Sequence, residues 1–168
     1  SWLTSNVSRG SGGSSGGLTS GNTVAATNGT QRAFTEAQLQ TVLSAAYTNG
    51  GDPTMLILGA FNKGVASGFA GIATQTQQAN GKEAKIIASA DVYVGDFHRL
   101  RFVPDRHSSS RDAIVVDPGM ASVLWLSKIK REALAKTGDS EKFHIVTELT
   151  LKVNNEAAHG VVADLTTS

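Results

Sequence analysis

The densest group of side chains able to do chemistry lies in "VPDRHSSSRDA", residues 103–113, which holds Asp105, His107, Ser108, Ser109, Ser110 and Asp112. Carboxylate oxygens and an imidazole suit a divalent metal, and serine beside histidine suits a nucleophile with its base. Neither pattern is complete. The four histidines, His98, His107, His144 and His159, form no H-x-x-x-H or H-E-x-x-H pair, so two ligands on one helical face are missing. No G-x-S-x-G elbow presents a serine, and a triad would have to be assembled in space from distant residues. The carboxylates are scattered singly, without a pair that reads as acid and base. The plain reading of this loop is a solvated polar segment. An enzyme would need a deep pocket with a perturbed carboxylate or histidine near Asp105–Asp112.

A phosphate site is the second chemistry to weigh. In "NGGDPTMLILGAFNKGVASGFAG", Asn49 to Gly71, an apolar run enters glycines and then a helical pattern. A phosphate loop needs converging backbone N–H groups, a lysine beside them and a hydroxyl for magnesium. Here Lys63 comes before the second glycine and so too early, Val65 and Ala66 stand where Lys and Ser/Thr belong, and G-x-G-x-x-G is missing. The stretch reads instead as a buried strand entering a short helix, its glycines allowing close packing.

Arg99, Arg101, Arg106, His107 and Arg111 form the one basic concentration. A nucleic-acid surface would carry more charge and interleaved aromatic residues. Arg99 and Arg101 share one strand face opposite Leu100 and Phe102. They read either as a solvated face or as a subunit contact pairing guanidinium with carboxylate.

The elements that must position these groups follow from pattern. Thr35 and Gln38 form a capping box and Phe34 with Leu39 a hydrophobic staple. Leu39, Val42, Leu43, Ala46 and Tyr47 then repeat on one helical face. Asn49-Gly50-Gly51 ends that helix and Asp52-Pro53 prevents its resumption. A buried strand is expected at Thr54–Leu58, a glycine-interrupted helix near Asn62–Ala70, and a polar loop over 71–83. "AKIIASADVYV" and "HRLRFVP" flank Gly95-Asp96 as a hairpin. "AIVVD" is a strand, and Asp117-Pro118-Gly119 a turn or one helical turn starting at proline. "ASVLWLS" is a strand, while "KIKREALAK" fits helix or strand. Phe143, Ile145, Thr147, Leu149, Leu151 and Val153 alternate on one strand face. A turn at Asn154-Asn155 leads to a last strand, "GVVADL". Helix, strand, helix and then mostly strands predict an α+β fold with a largely antiparallel sheet.

Composition bounds the rest. The 168 residues are 40% hydrophobic and 17% charged, with a net charge of +1, which suits one core domain and neither a disordered tail nor a general nucleic-acid binder. Cysteine is absent, which excludes disulfides, zinc–thiolate sites and cysteine nucleophiles. No apolar run approaches the roughly 20 residues of a membrane helix, and no signal peptide is visible. Residues 8–30 are almost all Gly, Ser, Thr and Asn, so residues 1–33 read as a flexible segment and 34–168 as the α+β core. The opening "SWLTSN" reads as the interior of a longer protein.

One resemblance runs through nearly the whole chain. "TSNVSRGSGG", "GTQRAFTEAQLQTVLSAAYTNGGDP", "FNKGVASGFAG", "ADVYVGDFHRLRFVPDR", "RDAIVVDP", "LAKTGDSEKF" and "LKVNNEAAHGVVADL", in this order, resemble the major capsid proteins of a tailed-bacteriophage group. The resemblance implies the tailed-phage major capsid fold, with axial and peripheral domain portions. It also implies that this chain is the C-terminal part of a longer protein whose N-terminal arm, extended loop and part of a long helix lie upstream. The implied function is structural, with no enzyme activity and no cofactor. The full-length form would be made in the bacterial host cytoplasm and self-assemble through hexamers and pentamers into an icosahedral head around double-stranded DNA, touched only non-specifically. Scaffold, portal or decoration proteins are the implied further partners, and a membrane is not. A phage tail or decoration protein acting as a binding module is the alternative. For the subunit interface the expectation is Arg99, Arg101 and Arg106 together with the loop carrying Lys136, Asp139 and Glu141.

Overall fold

A computed structural model describes residues 6–69, 91–136 and 138–168. The chain divides into two compact units, one formed by Ser1–Pro118 with Asn155–Ser168 and the other by Gly119–Asn154. The expected 71–83 loop and the 84–90 part of the expected strand lie outside the described residues.

In the first unit, helix α1 spans Glu36–Thr48. Thr35 caps it: its hydroxyl accepts from the Gln38 N–H at 3.4 Å, and the Gln38 side chain accepts from the Thr35 N–H at 3.3 Å. The box satisfies two N–H groups that the first turn leaves without partners. At the other end, Gly51 N–H reaches Ala46 O at 2.9 Å and Gly50 N–H reaches Tyr47 O at 3.0 Å. This is a Schellman closure, and it needs the left-handed φ of +77° that Gly50 supplies. Leu39, Val42, Leu43 and Ala46 are buried along the helix as their spacing predicts, whereas Tyr47 is 58% exposed.

Strands β1 (Val7–Ser8), β2 (Gly17–Thr19) and β3 (Asn22–Val24) precede the helix. The Gly/Ser-rich stretch therefore holds a hairpin, β2–β3, closed by Ser20 and Gly21, both at positive φ. That is the primed two-residue turn that suits strand twist. After α1 come β4 (Met55–Leu58), α2 (Ala60–Ala66), β5 (Val92–Val94), β6 (Arg99–Pro104) and β7 (Ala113–Val116). Helix α2 starts earlier and is shorter than its pattern suggested, because Gly59 forms its N-cap and the chain leaves helix at Ser67. A side chain at Gly59 would come within 3.3 Å of Ser110 Cα, so this glycine serves close packing. Pro118–Met120 form the expected single helical turn, here 3-10.

β8 (Ala121–Ala133) and β9 (Phe143–Val153) make up the second unit as an antiparallel ribbon, and "KIKREALAK" resolves into strand as far as Ala133. A 3-10 turn at Glu156–Ala158 and β10 (Gly160–Val162) return the chain to the first unit.

The six-stranded sheet of the first unit runs β1-β10-β7-β4-β6-β5. It is parallel at β1/β10 and β4/β6 and antiparallel at its other pairings. Its first face carries Leu56, Leu58, Tyr93, Leu100, Phe102 and Val115, which join Leu39, Val42 and Leu43 of α1 and Ala66 of α2 in one buried core. Each fully buried leucine there contributes about 1.5–3 kcal/mol of transfer free energy, so this layer holds the unit together. The fold is α+β with largely antiparallel sheets, as expected.

Candidate interaction surfaces

The residues singled out in the 103–113 loop do not converge. Asp105 accepts the backbone N–H of His107 at 2.9 Å, a local turn contact, and His107 points outward. Among the described residues, no group of three or more His, Cys, Asp or Glu side chains could hold a metal. No described helix is long and apolar enough to cross a membrane.

The basic concentration is split by the fold. Arg99 and Arg101 are exposed on β6, and Arg106 is exposed in the loop that follows it. Arg111 turns inward: its guanidinium donates to Gly29 O at 2.9 Å and to Asp164 at 3.3 Å. Asp164, 1% exposed, is the polar centre of the first unit. Its carboxylate accepts from the Gly10 N–H at 3.1 Å and the Gly29 N–H at 2.8 Å. Burial alone would push its pKa up. The N–H groups of Gly29 and Gly10, with the charges of Arg9 and Arg111, outweigh that and hold it below its ordinary value. A Cβ at Gly10, Gly13 or Gly29 would collide with backbone or with Asp164, so these glycines permit close approach. Beside this group the Arg32 guanidinium reaches Ser8 Oγ at 2.8 Å. Asn6 donates to His159 O at 2.8 Å, and His159 Nδ1 accepts the Asp117 N–H at 3.1 Å. Burial lowers the His159 pKa, with Asp117 opposing. None of Asp164, Arg32, Asn6 and His159 was picked out from sequence. The available signal was a lone acid and a lone histidine in the apolar run "AAHGVVADL", since a charge at such a position must be paired.

The second face of the six-stranded sheet is apolar as well. Side chains alternate along a strand, and the pairing register puts Val7, Val161, Ile114, Ile57 and Val103 in one row across five strands. Val161 is buried and the others are half-buried. Met55 and Val116 lie in the next row, which continues into Arg101 and Val92. Arg99 and Val94 end the face at the β5 edge. On the opposite side, next to α1, the β5–β6 turn presents Phe97, whose ring lies 5.0 Å from that of Tyr47. Asp96 and Asp52 are exposed there, with Asp52 3.1 Å from His98 Nδ1. A groove of about 480 Å³ runs between Gln40, Thr41 and Ser44 of the helix and Asp96 and Phe97 of the turn.

The second unit is amphipathic. Val123 pairs with Leu151, Trp125 with Leu149, Arg131 with Ile145 and Ala133 with Phe143, so these side chains share one face. The register shifts after Trp125 and after Ser127, and beyond the two irregularities Arg131 joins this otherwise largely apolar face. The face is open: Val123, Trp125, Leu149 and Leu151 are about half exposed and Ile145 is 72% exposed, while Leu126 at the first irregularity is 87% exposed. Arg131 lies 3.5 Å above the Phe143 ring, a cation–π contact. On the other face Glu132 takes Lys130 at 2.9 Å and His144 at 3.2 Å. The hydrogen bond and charge of Lys130 lower the Glu132 pKa. Lys136, Asp139 and Glu141 are all exposed at the ribbon's tip. The six expected interface residues therefore form two groups, one in each unit.

The described residues thus offer two surfaces of apolar character: the half-buried second face of the six-stranded sheet, edged by Arg99 and Arg101, and a ribbon with its apolar face in water. Exposed apolar areas of this kind mark interaction sites. A comparison with curated proteins returns no match. The family model described as SU10 major capsid protein matches residues 1–166, essentially the whole chain, and the chain belongs to this family of bacteriophage capsid proteins, structural components of the virion.

Proposed function

We propose that this chain forms part of the subunit that self-assembles into an icosahedral phage head around double-stranded DNA. The family match over residues 1–166 carries the reading. The surfaces support it: a two-stranded ribbon is marginally stable alone, and one with its apolar face in water is stabilised when association removes that face from solvent. Hexamers and pentamers of the complete polypeptide are the units of the shell. Their contacts include the exposed Arg99, Arg101 and Arg106 and the ribbon tip with Lys136, Asp139 and Glu141. Scaffold, portal or decoration proteins are further partners of the complete protein. The role is structural and involves no turnover.

Peptide mass analysis of purified virions tests this. Peptides of this sequence should dominate the particle's protein and stay with the head after tails are removed. Recovery at a few copies, or release from intact heads, would instead indicate a tail or decoration protein. Replacing Arg99, Arg101 and Arg106 by alanine in the full-length protein should reduce head yield, and unchanged yield would remove the arginine contact.

A further inference from the structure

The first unit has two differently built sides. Among the described residues, both helices bury their apolar side chains on the same face of the six-stranded sheet. The other face carries the row Val7–Val161–Ile114–Ile57–Val103. A sheet with one wet face normally alternates apolar and polar residues. Here both sides of the strands are largely apolar, and on the second face the exception is Arg99 and Arg101, which are exposed and make no ion pair with a described residue. The side beyond α1 has the opposite character. It presents the Tyr47–Phe97 pair, the exposed acids Asp52 and Asp96, and a recess with Asp96 on its wall.

We propose that these two sides meet between copies of the chain: the sheet face of one copy receives the α1–turn face of the next, and Arg101 enters the recess toward Asp96. The proposal rests on the shell reading and names its contact surface. Charge decides the pairing. Sheet face on sheet face would set arginine against arginine, and turn face on turn face acid against acid, both penalised by like-charge juxtaposition. Only the mixed pairing joins guanidinium to carboxylate while covering aliphatic surface with aromatic side chains, the residue types favoured at interface centres. The two surfaces lie on opposite sides of one unit, so the contact is head-to-tail, the kind that forms a ring where the rotation between successive copies closes.

Charge reversal and cross-linking test the contact in the whole chain. Sedimentation velocity of the unmodified chain should show self-association that deepens with concentration. Arg101→Glu and Asp96→Arg should each weaken it by about tenfold or more. An equimolar mixture of the two variants should recover it, because every junction then again joins opposite charges. Circular dichroism should match the unmodified chain, since both positions are exposed. The absence of native cysteine permits a second readout: Val92→Cys and Phe97→Cys chains should form disulfide dimers when mixed and not when oxidised separately. Association indifferent to both reversals, or Val92→Cys cross-linking to itself, overturns the contact and leaves the shell reading standing. An unmodified chain that stays monomeric at every concentration overturns the contact and weakens the shell reading with it.

Discussion

Replacing Asp164 by asparagine should detach the N-terminal hairpin segment from the first unit without unfolding the sheet core. The carboxylate accepts N–H groups from Gly10 and Gly29 and a guanidinium N–H from Arg111. Asparagine keeps one acceptor oxygen but turns an NH₂ group toward a buried donor. It tolerates the left-handed backbone nearly as aspartate does, and Asp164 sits at φ +61°, so the change isolates charge and hydrogen bonding from strain. Charge-assisted bonds contribute about 1.5–3 kcal/mol, and a buried donor left without a partner costs about 1–3 kcal/mol. Arg111 remains partly exposed and keeps Gly29 O, which limits its loss. A net cost of about 3 kcal/mol corresponds to a roughly 100-fold fall in hydrogen-exchange protection. It should appear at the amides of Gly29, Thr30 and Arg32, the last two bonded to Ser11 O and Asp164 O at 2.8 Å each. Amides of β4 and β7 should keep their protection. The effect has a pH signature. The folded carboxyl titrates below its unfolded value of about 3.9, so the unfolded chain binds the proton first as pH falls. Its stabilisation is complete above that value and is lost as pH drops through the folded pKa. The gap between native and Asp164→Asn chains should therefore close below about pH 4. Unchanged protection of the 29–32 amides at pH 7 would refute the reasoning.

Three further outcomes follow from the same structure. Gly51→Ala should destabilise the first unit by about 1–3 kcal/mol in a urea titration, because its Cβ would sit 2.6 Å from Ala158 Cα. Gly64→Ala should stabilise it by about 0.5–1 kcal/mol, since nothing lies within 4 Å of the new methyl on α2; a shared sign for the two glycines would contradict this. His159 is held neutral by burial, so its contribution is complete above the unfolded value of about 6.5 and is lost as pH falls through the lower folded value. The urea midpoint of His159→Gln should accordingly depend less on pH just below neutrality, its amide oxygen still accepting the Asp117 N–H, and an identical slope would argue against a titrating His159.

How much of this was legible in sequence depends on range. The capping box at Thr35 and Gln38 and the glycine closure of α1 are set within a few residues, and both stand in the structure as the pattern predicts. Tyr47 shows the limit of the same rule: it falls on the apolar repeat, yet its ring packs beside the exposed Phe97 of the β5–β6 turn rather than in the core. The alternation of Phe143 to Val153 identified β9 and the residues on its face. Alternation says which side chains point the same way and nothing about what covers them, so the exposure of that face was invisible. "KIKREALAK" was undecidable because its residues satisfy either period; pairing of Lys130–Ala133 with Phe143–Val146 decides for strand. The Gly/Ser-rich stretch read as a linker from composition. Its hairpin is local, paired from Gly17–Thr19 to Asn22–Val24 about Ser20 and Gly21, but the hydrogen bonds of Gly10 and Gly29 to Asp164 reach a partner more than 130 residues away in sequence, and no local pattern encodes that distance.

Membership of the capsid family implies a polypeptide that assembles with copies of itself. Intact mass and sedimentation of the native full-length product from its expressing source test it most directly. The expected product is a polypeptide that sediments as closed shells or capsomer-sized rings, with this sequence forming its stable core. A small discrete species that never associates, or that pairs only with a different protein, would contradict it.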